Sequence, residues 1–93
     1  MMTDARLKRL ADLLTETPDD VRFAVDRTAS GRTIWTYMLW CDNDAYEVWL
    51  SSGQLPGADF VVPELAGVTD RVVALPIITR VVLARLAACG GAQ

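Results

Sequence analysis

The run Trp35-Thr36-Tyr37-Met38-Leu39-Trp40-Cys41, the polar turn Asp42-Asn43-Asp44-Ala45 and the run Tyr46-Glu47-Val48-Trp49-Leu50 together hold five of the chain's seven aromatic residues. Two alternating runs on either side of a polar turn predict a β-hairpin. Successive residues of a strand face opposite sides, so one face cannot take all five rings. Loop length decides the division. A loop of two residues (Asn43-Asp44) or of four (Asp42 to Ala45) leaves Cys41 opposite Tyr46 in either case. Leu39 then meets Val48 and Tyr37 meets Leu50, which gathers Trp35, Tyr37, Leu39, Cys41, Tyr46, Val48 and Leu50 on one apolar face. The other face carries Ile34, Thr36, Met38, Trp40, Glu47, Trp49 and Ser51, with Met38 opposite Trp49 and Trp40 opposite Glu47. A loop of odd length would scramble this division, so it rests entirely on that parity.

Working upstream, Val21, Phe23 and Val25 alternate with Arg22, Ala24 and Asp26, the period of a half-buried strand. Ala29-Ser30-Gly31 suits a three-residue hairpin loop with Gly31 in the left-handed conformation. That loop predicts Val25 opposite Trp35, Phe23 opposite Tyr37 and Val21 opposite Leu39, all apolar pairs. Arg22, Ala24 and Asp26 then join the outer face beside Met38 and Thr36.

Outside this meander the reading is helical. Thr3 is the expected N-cap of a helix over residues 4 to 16, with Leu7, Leu10, Ala11 and Leu14 at helical spacing until Pro18 forbids continuation. Its other face, Arg6, Lys8, Arg9, Asp12 and Glu16, reads as solvated. After Ser52 the Gly- and Pro-rich loop 53 to 57 leads to a short strand at Asp59 to Val62. Residues 63 to 75 fit a broken helical segment through Leu65, Val68, Val72 and Leu75, although Arg71 to Leu75 also suits a strand. Pro76 is placed as the first residue of a final helix through about Cys89, ended by Gly90-Gly91. That helix is apolar almost all round, which predicts burial on more than one side or in an oligomer interface. The expected fold is α+β and a single domain over residues 1 to 93: an N-terminal helix, a three- to four-stranded antiparallel meander, and C-terminal helical structure on one sheet face, a two-layer sandwich.

Composition narrows function mainly by exclusion. A chain of 93 residues, 52 % hydrophobic and 23 % charged, has the balance of a folded globule that buries roughly 60 to 65 % of its unfolded surface. A net charge of -3 provides neither a cationic field for nucleic acid nor the dense anionic surface of a nucleic-acid mimic, so no direct nucleic-acid binding is expected. Eight Arg against one Lys favour hydrogen-bonding forks and ring stacking. The start Met1-Met2-Thr3-Asp4-Ala5-Arg6 lacks a secretory pattern and no stretch reaches membrane-span length, so a cytoplasmic protein without a membrane partner is expected. Cys41 and Cys89 read as two reduced, partly buried thiols rather than a disulfide.

The search for chemistry returns little. With no His, there is no imidazole base, no Ser-His or Cys-His pair and no ordinary zinc set, and neither metal nor cofactor is expected. The loop Gly53 to Gly57 lacks the Lys and the strand-to-helix context of a phosphate cradle. Asp42 and Asp44 lack the Gly and the distant Glu of a calcium loop, and Asp19-Asp20 suit a turn better than a catalytic pair. Arg22, Arg27 and Arg32 near the first hairpin suit exposed strand ends, with an anion grip as the lesser reading.

One constellation stands out. Met38, Trp40 and Trp49 are expected to be neighbours on the outer face, ringed by Arg22, Thr36, Glu47 and Ser51, an apolar centre with a polar rim. The expected function is a non-enzymatic module that binds another protein, a second copy included, through this face. By analogy of composition alone, it suits an inhibitor of phage or mobile-element type acting on a larger target. Alternatives are a small-molecule pocket between the sheet and the final helix, with Trp35 or Tyr37 stacking on the ligand, and a homodimeric structural or accessory protein. An enzyme using carboxylates alone ranks last.

Overall fold

The computed structural model describes residues 4–30, 32–41 and 46–91; the side chains of 28–30, 32–33, 46 and 89–91 also lie outside the description. Capping by Thr3, the conformation of Gly31 and the Asp42 to Ala45 turn fall outside it. The fold is α+β: helix α1 (Asp4–Glu16), strands β1 (Arg22–Ser30), β2 (Arg32–Cys41), β3 (Tyr46–Ser51) and β4 (Phe60–Val61), and helix α2 (Arg71–Gly91). Helix α1 forms over its predicted stripe and buries Leu7, Leu10, Ala11, Leu13 and Leu14. Asp4 lies in its first turn, where it complements the helix dipole. A 3-10 turn, Pro18–Asp20, then delivers the chain to the sheet.

The strands lie in the order β1-β2-β3-β4. The second hairpin has the predicted register: Cys41 pairs with Tyr46, Leu39 with Val48, Met38 with Trp49 and Tyr37 with Leu50. The first hairpin is tighter than expected. Ser30 pairs with Arg32, so Phe23 faces Leu39 and Val25 faces Tyr37, and Val21 precedes the ladder instead of facing Leu39. Extending the strands to Ser30 and Arg32 gives the backbone of Ala29 and Ser30 ladder partners that a three-residue loop would leave to water. The displacement is two residues, so every side chain keeps its expected face.

The fourth strand is a second correction to an all-antiparallel meander. Strand β4 runs parallel to β3, with Leu50 beside Phe60 and Ser51 beside Val61, so the sheet is mostly antiparallel. Long parallel strands need long crossovers, but a two-residue strand needs only the loop from Ser52 to Asp59. Pro56 and Gly57 turn that loop: Gly57 has φ 91°, and the Ala58 N–H donates to the Leu55 carbonyl at 3.3 Å, as a type II turn requires.

The C-terminal half begins with a 3-10 turn, Pro63–Leu65, and a turn at Ala66-Gly67. Helix α2 starts five residues earlier than Pro76. Asp70 is its cap: Oδ1 accepts from the Val72 N–H at 2.9 Å, and the Asp70 carbonyl accepts from Val73 and Ala74 at 3.1 and 2.8 Å. Arg71 to Leu75 is therefore helix, not strand. Pro76 sits inside the helix, where the Val72 carbonyl loses its partner; both residues are exposed, so water reaches that side. Gly90 and Gly91 belong to the end of α2 instead of following it.

One core joins both helices to the inner sheet face and β4. It includes Leu10, Leu14, Tyr37, Leu39, Val48, Leu50, Phe60, Leu65, Ile78 and Val82, with Phe23, Val25 and Trp35 packed at its margin. Cys41 is a free thiol, fully buried, while the Cys89 side chain lies outside the description. Tyr37 is the largest fully buried side chain, stacks on Phe23 at 5.8 Å, and donates its hydroxyl to the Leu65 carbonyl. Arg71 closes the base by donating from Nη2 to the Pro18 and Val21 carbonyls at 2.5 and 2.8 Å. Among the described residues, no helix is long and apolar enough to cross a membrane.

Two stability predictions follow from this packing. Pro76→Ala restores one helical bond at an exposed position and is expected to stabilise the protein by about 1 to 3 kcal/mol in urea denaturation. Burial raises the pKa of Tyr37 above its ordinary 10.0. Its contribution is therefore complete below pH 10 and is lost as pH rises through the folded value. Tyr37→Phe should cost about 1 kcal/mol near pH 8 and show a weaker decline in stability towards pH 11 than wild type.

Candidate functional site

The outer sheet face is built from three rungs. Arg22, Trp40 and Glu47 form the first, Ala24, Met38 and Trp49 the second, and Asp26, Thr36 and Ser51 the third. The tighter first hairpin places Arg22 beside Trp40 and the small Ala24 beside Met38. Because Ala24 does not fill its rung, a shallow hollow of about 270 Å³ lies among Ala24, Asp26, Thr36, Met38 and Trp49.

The third rung is closed by the chain itself. Ser51 Oγ donates to the Gly53 carbonyl, the Ser52 N–H donates to the Trp35 carbonyl at 2.9 Å, and Gly53 lies against Ile34. Ser51 is consequently 0 % exposed and Thr36 7 %. The expectation that these two form an exposed polar rim is corrected: Thr36 lines the hollow from a buried position. Arg22 and Glu47 are exposed, and Met38 and Trp40 are half-buried.

Trp49 is 42 % exposed, and it is held on three sides. Its backbone N–H donates to Asp59 Oδ2 at 2.9 Å, and its carbonyl accepts from the Asp59 N–H at 2.8 Å. Its indole Nε1–H donates to Glu47 Oε1 at 2.8 Å. Glu47 is tied back in turn, because Arg6 of α1 donates to its carbonyl. One carboxylate, Glu47, thus holds the exposed ring, while Asp59 fixes the backbone beneath it. Glu47 was legible as its strand neighbour; Asp59 was not, since the only signal around it was a short strand.

No family model, curated protein or solved structure matches this chain.

The other residues of interest are placed elsewhere. Trp35 and Tyr37 lie on the inner face: Arg27 sits 5.5 Å over the Trp35 ring, and Tyr37 is 1 % exposed. Arg27 is thereby engaged by a ring, and the side chain of Arg32 lies outside the description. Asp19 and Asp20 are exposed in a 3-10 turn. A second concavity, about 540 Å³, runs along Leu14, Leu75, Pro76, Thr79 and Leu83, between the two helices with no sheet residue lining it. Within the single chain, helix α2 is buried along one side. It buries Ala74, Leu75, Ile78 and Val82 and leaves Val72, Val73 and Leu83 exposed.

The indole clamp makes its own prediction. Glu47→Ala should accelerate hydrogen exchange at Trp49 Nε1 and increase the ring's fluorescence depolarisation, while global stability falls by less than about 1 kcal/mol, since the bond is at the surface. An unchanged indole signal would show that the clamp does not hold the ring.

Proposed function

We propose that this chain is a small protein-binding module that docks on a foreign protein through its outer sheet face. Trp49 is the anchor, Met38 and Trp40 extend the apolar contact, Arg22 and Glu47 form a charged rim, and Thr36 underlies the hollow beside the ring. The observation that carries the reading is the exposed Trp49 held by Glu47 and Asp59. Tryptophan is enriched among the few residues that dominate binding energy, and a side chain ordered before contact loses less entropy on binding. The fitting partner presents an apolar pocket for the indole with polar groups that meet Arg22 and Glu47. Masking such a pocket on a larger protein is how the module would act as an inhibitor of phage or mobile-element type.

A second reading is a small apolar ligand, favoured by the groove between α1 and α2. The two readings separate by mutation. Trp49→Ala should lower affinity for a partner about 10- to 100-fold, measured by titration calorimetry with the protein retained by wild type. Its thermal midpoint should fall by less than about 4 °C, equivalent to 1 kcal/mol or less. A larger fall makes Trp49 a structural residue and defeats the interface reading. Unchanged retention after Trp49→Ala, combined with loss after Leu83→Asp, would transfer binding to the groove.

A further inference from the structure

Among the described residues, strand β1 is one of the two edges of the sheet, the other being the two-residue β4. The Ser52 N–H donates to the Trp35 carbonyl at 2.9 Å and the Trp35 N–H donates to Ser52 Oγ at 3.0 Å, so Trp35 turns both backbone groups away from β1. By antiparallel alternation, the even residues Thr36, Met38 and Trp40 bond to β1, and their partners Asp26, Ala24 and Arg22 bond back. Phe23, Val25 and Arg27 therefore direct their backbone groups outward. Both ends of that outward stretch are already engaged. The Val21 carbonyl accepts from Arg71 at 2.8 Å, and the Arg27 N–H donates to Asp26 Oδ1 at 2.7 Å. Between them, the N–H and carbonyl groups of Phe23 and Val25 face no strand among the described residues.

We propose that a second copy of this chain occupies the edge, pairing β1 with β1 antiparallel about a two-fold axis at Ala24. In that register Phe23 and Val25 of each copy exchange four backbone hydrogen bonds with Val25 and Phe23 of the other. Arg22 of each copy lies opposite Asp26 of the other, giving two ion pairs on the outer face. Ala24 meets Ala24 at the axis, the close, non-hydrogen-bonded position that suits two methyl groups. Neighbouring registers lose this match. An axis at Val25 puts Phe23 opposite Arg27, an axis at Asp26 brings two carboxylates together, and an axis at Phe23 leaves Arg22 opposite Ala24. Phe23 and Val25, half-buried in the single chain, would cover each other across the axis.

The charges of one strand are thus self-complementary, as a two-fold contact requires. The product is a continuous eight-stranded sheet. An axis perpendicular to the sheet keeps both outer faces on one side, so the two Trp49 rings point the same way. The contact does not use Trp49, Met38 or Trp40, but it shares Arg22 with the proposed partner rim and borders the hollow through Ala24 and Asp26. With only four new backbone bonds, the dimer should be in concentration-dependent exchange with monomer.

Sedimentation velocity between about 1 µM and 1 mM spans the affinity range of such a contact and should show the mass rising from one chain to two. Arg22→Asp and Asp26→Arg should each weaken association at least about 10-fold by placing like charges opposite each other twice, and the double exchange should restore it. Ala24→Lys, outward and exposed in the monomer, should abolish the dimer with an unchanged thermal midpoint. Three results overturn the proposal: a monomer at every concentration, a dimer that survives Ala24→Lys, or a double exchange that fails to restore association. The first would leave the edge to a foreign strand, and the second would place the contact on another face.

Discussion

The alternation of side chains along β2 governs the rest of this molecule. Tyr37 and Leu39 point into the core because Met38 and Trp40 point out, and the hydrogen-bonded ladders transmit that choice to β1 and β3. A slip of one residue between strands would carry buried residues such as Tyr37, Leu39, Val48 and Leu50 into water. At about 1.5 to 3 kcal/mol for each large apolar side chain, the loss would be roughly 6 to 12 kcal/mol. That is comparable with the whole stability of a small domain. Slips of one are therefore forbidden by energy, whereas a slip of two keeps the faces and is decided by finer effects. The first hairpin shows the difference, since it closes two residues tighter than its turn composition suggested without moving a side chain to the other face.

The helical layer is adapted to the inner face and tied to it by a few specific contacts. Tyr37 reaches through the core to the Leu65 carbonyl, which also accepts from the Val68 N–H at the turn that precedes α2. Arg71 fastens the first turn of α2 to two carbonyls within the α1 to β1 connection, those of Pro18 and Val21. These contacts position α2 early, before Pro76, and the cost of a proline inside the helix is borne on its exposed side. Since both helices occupy the inner face, the outer face is left to the loop after β3, which covers only the Thr36 and Ser51 rung. The hollow beside Trp49 and its exposure are consequences of that arrangement.

Much of the candidate site was legible because strand neighbours are a local property. The pairs Met38 with Trp49 and Trp40 with Glu47 follow from loop parity alone. Two parts were not legible. The partners of β1 changed with a hairpin whose tightness turn composition does not report, which moved Arg22 beside Trp40. The burial of Thr36 and Ser51 and the grip of Asp59 on Trp49 arise from a loop folding back on the sheet, a path that no periodicity encodes. The start of α2 was misplaced for a different reason: Pro76 is a strong helix-start signal, yet the cap at Asp70 and burial of Ala74 and Leu75 outweigh it.

By itself, the sequence determined the class of fold, the extent of α1, the register of the second hairpin and the division of the aromatic residues between two faces. These are short-range matters, set by periods of two and 3.6 and by the chemistry of turns. Only the tertiary structure decided which tryptophan is held exposed, that β4 joins in parallel, and that β1 is left as an open edge with Arg22 and Asp26 flanking Ala24. Those outcomes depend on where distant segments come to rest, which is settled by packing of the whole chain and not by the residues next in line.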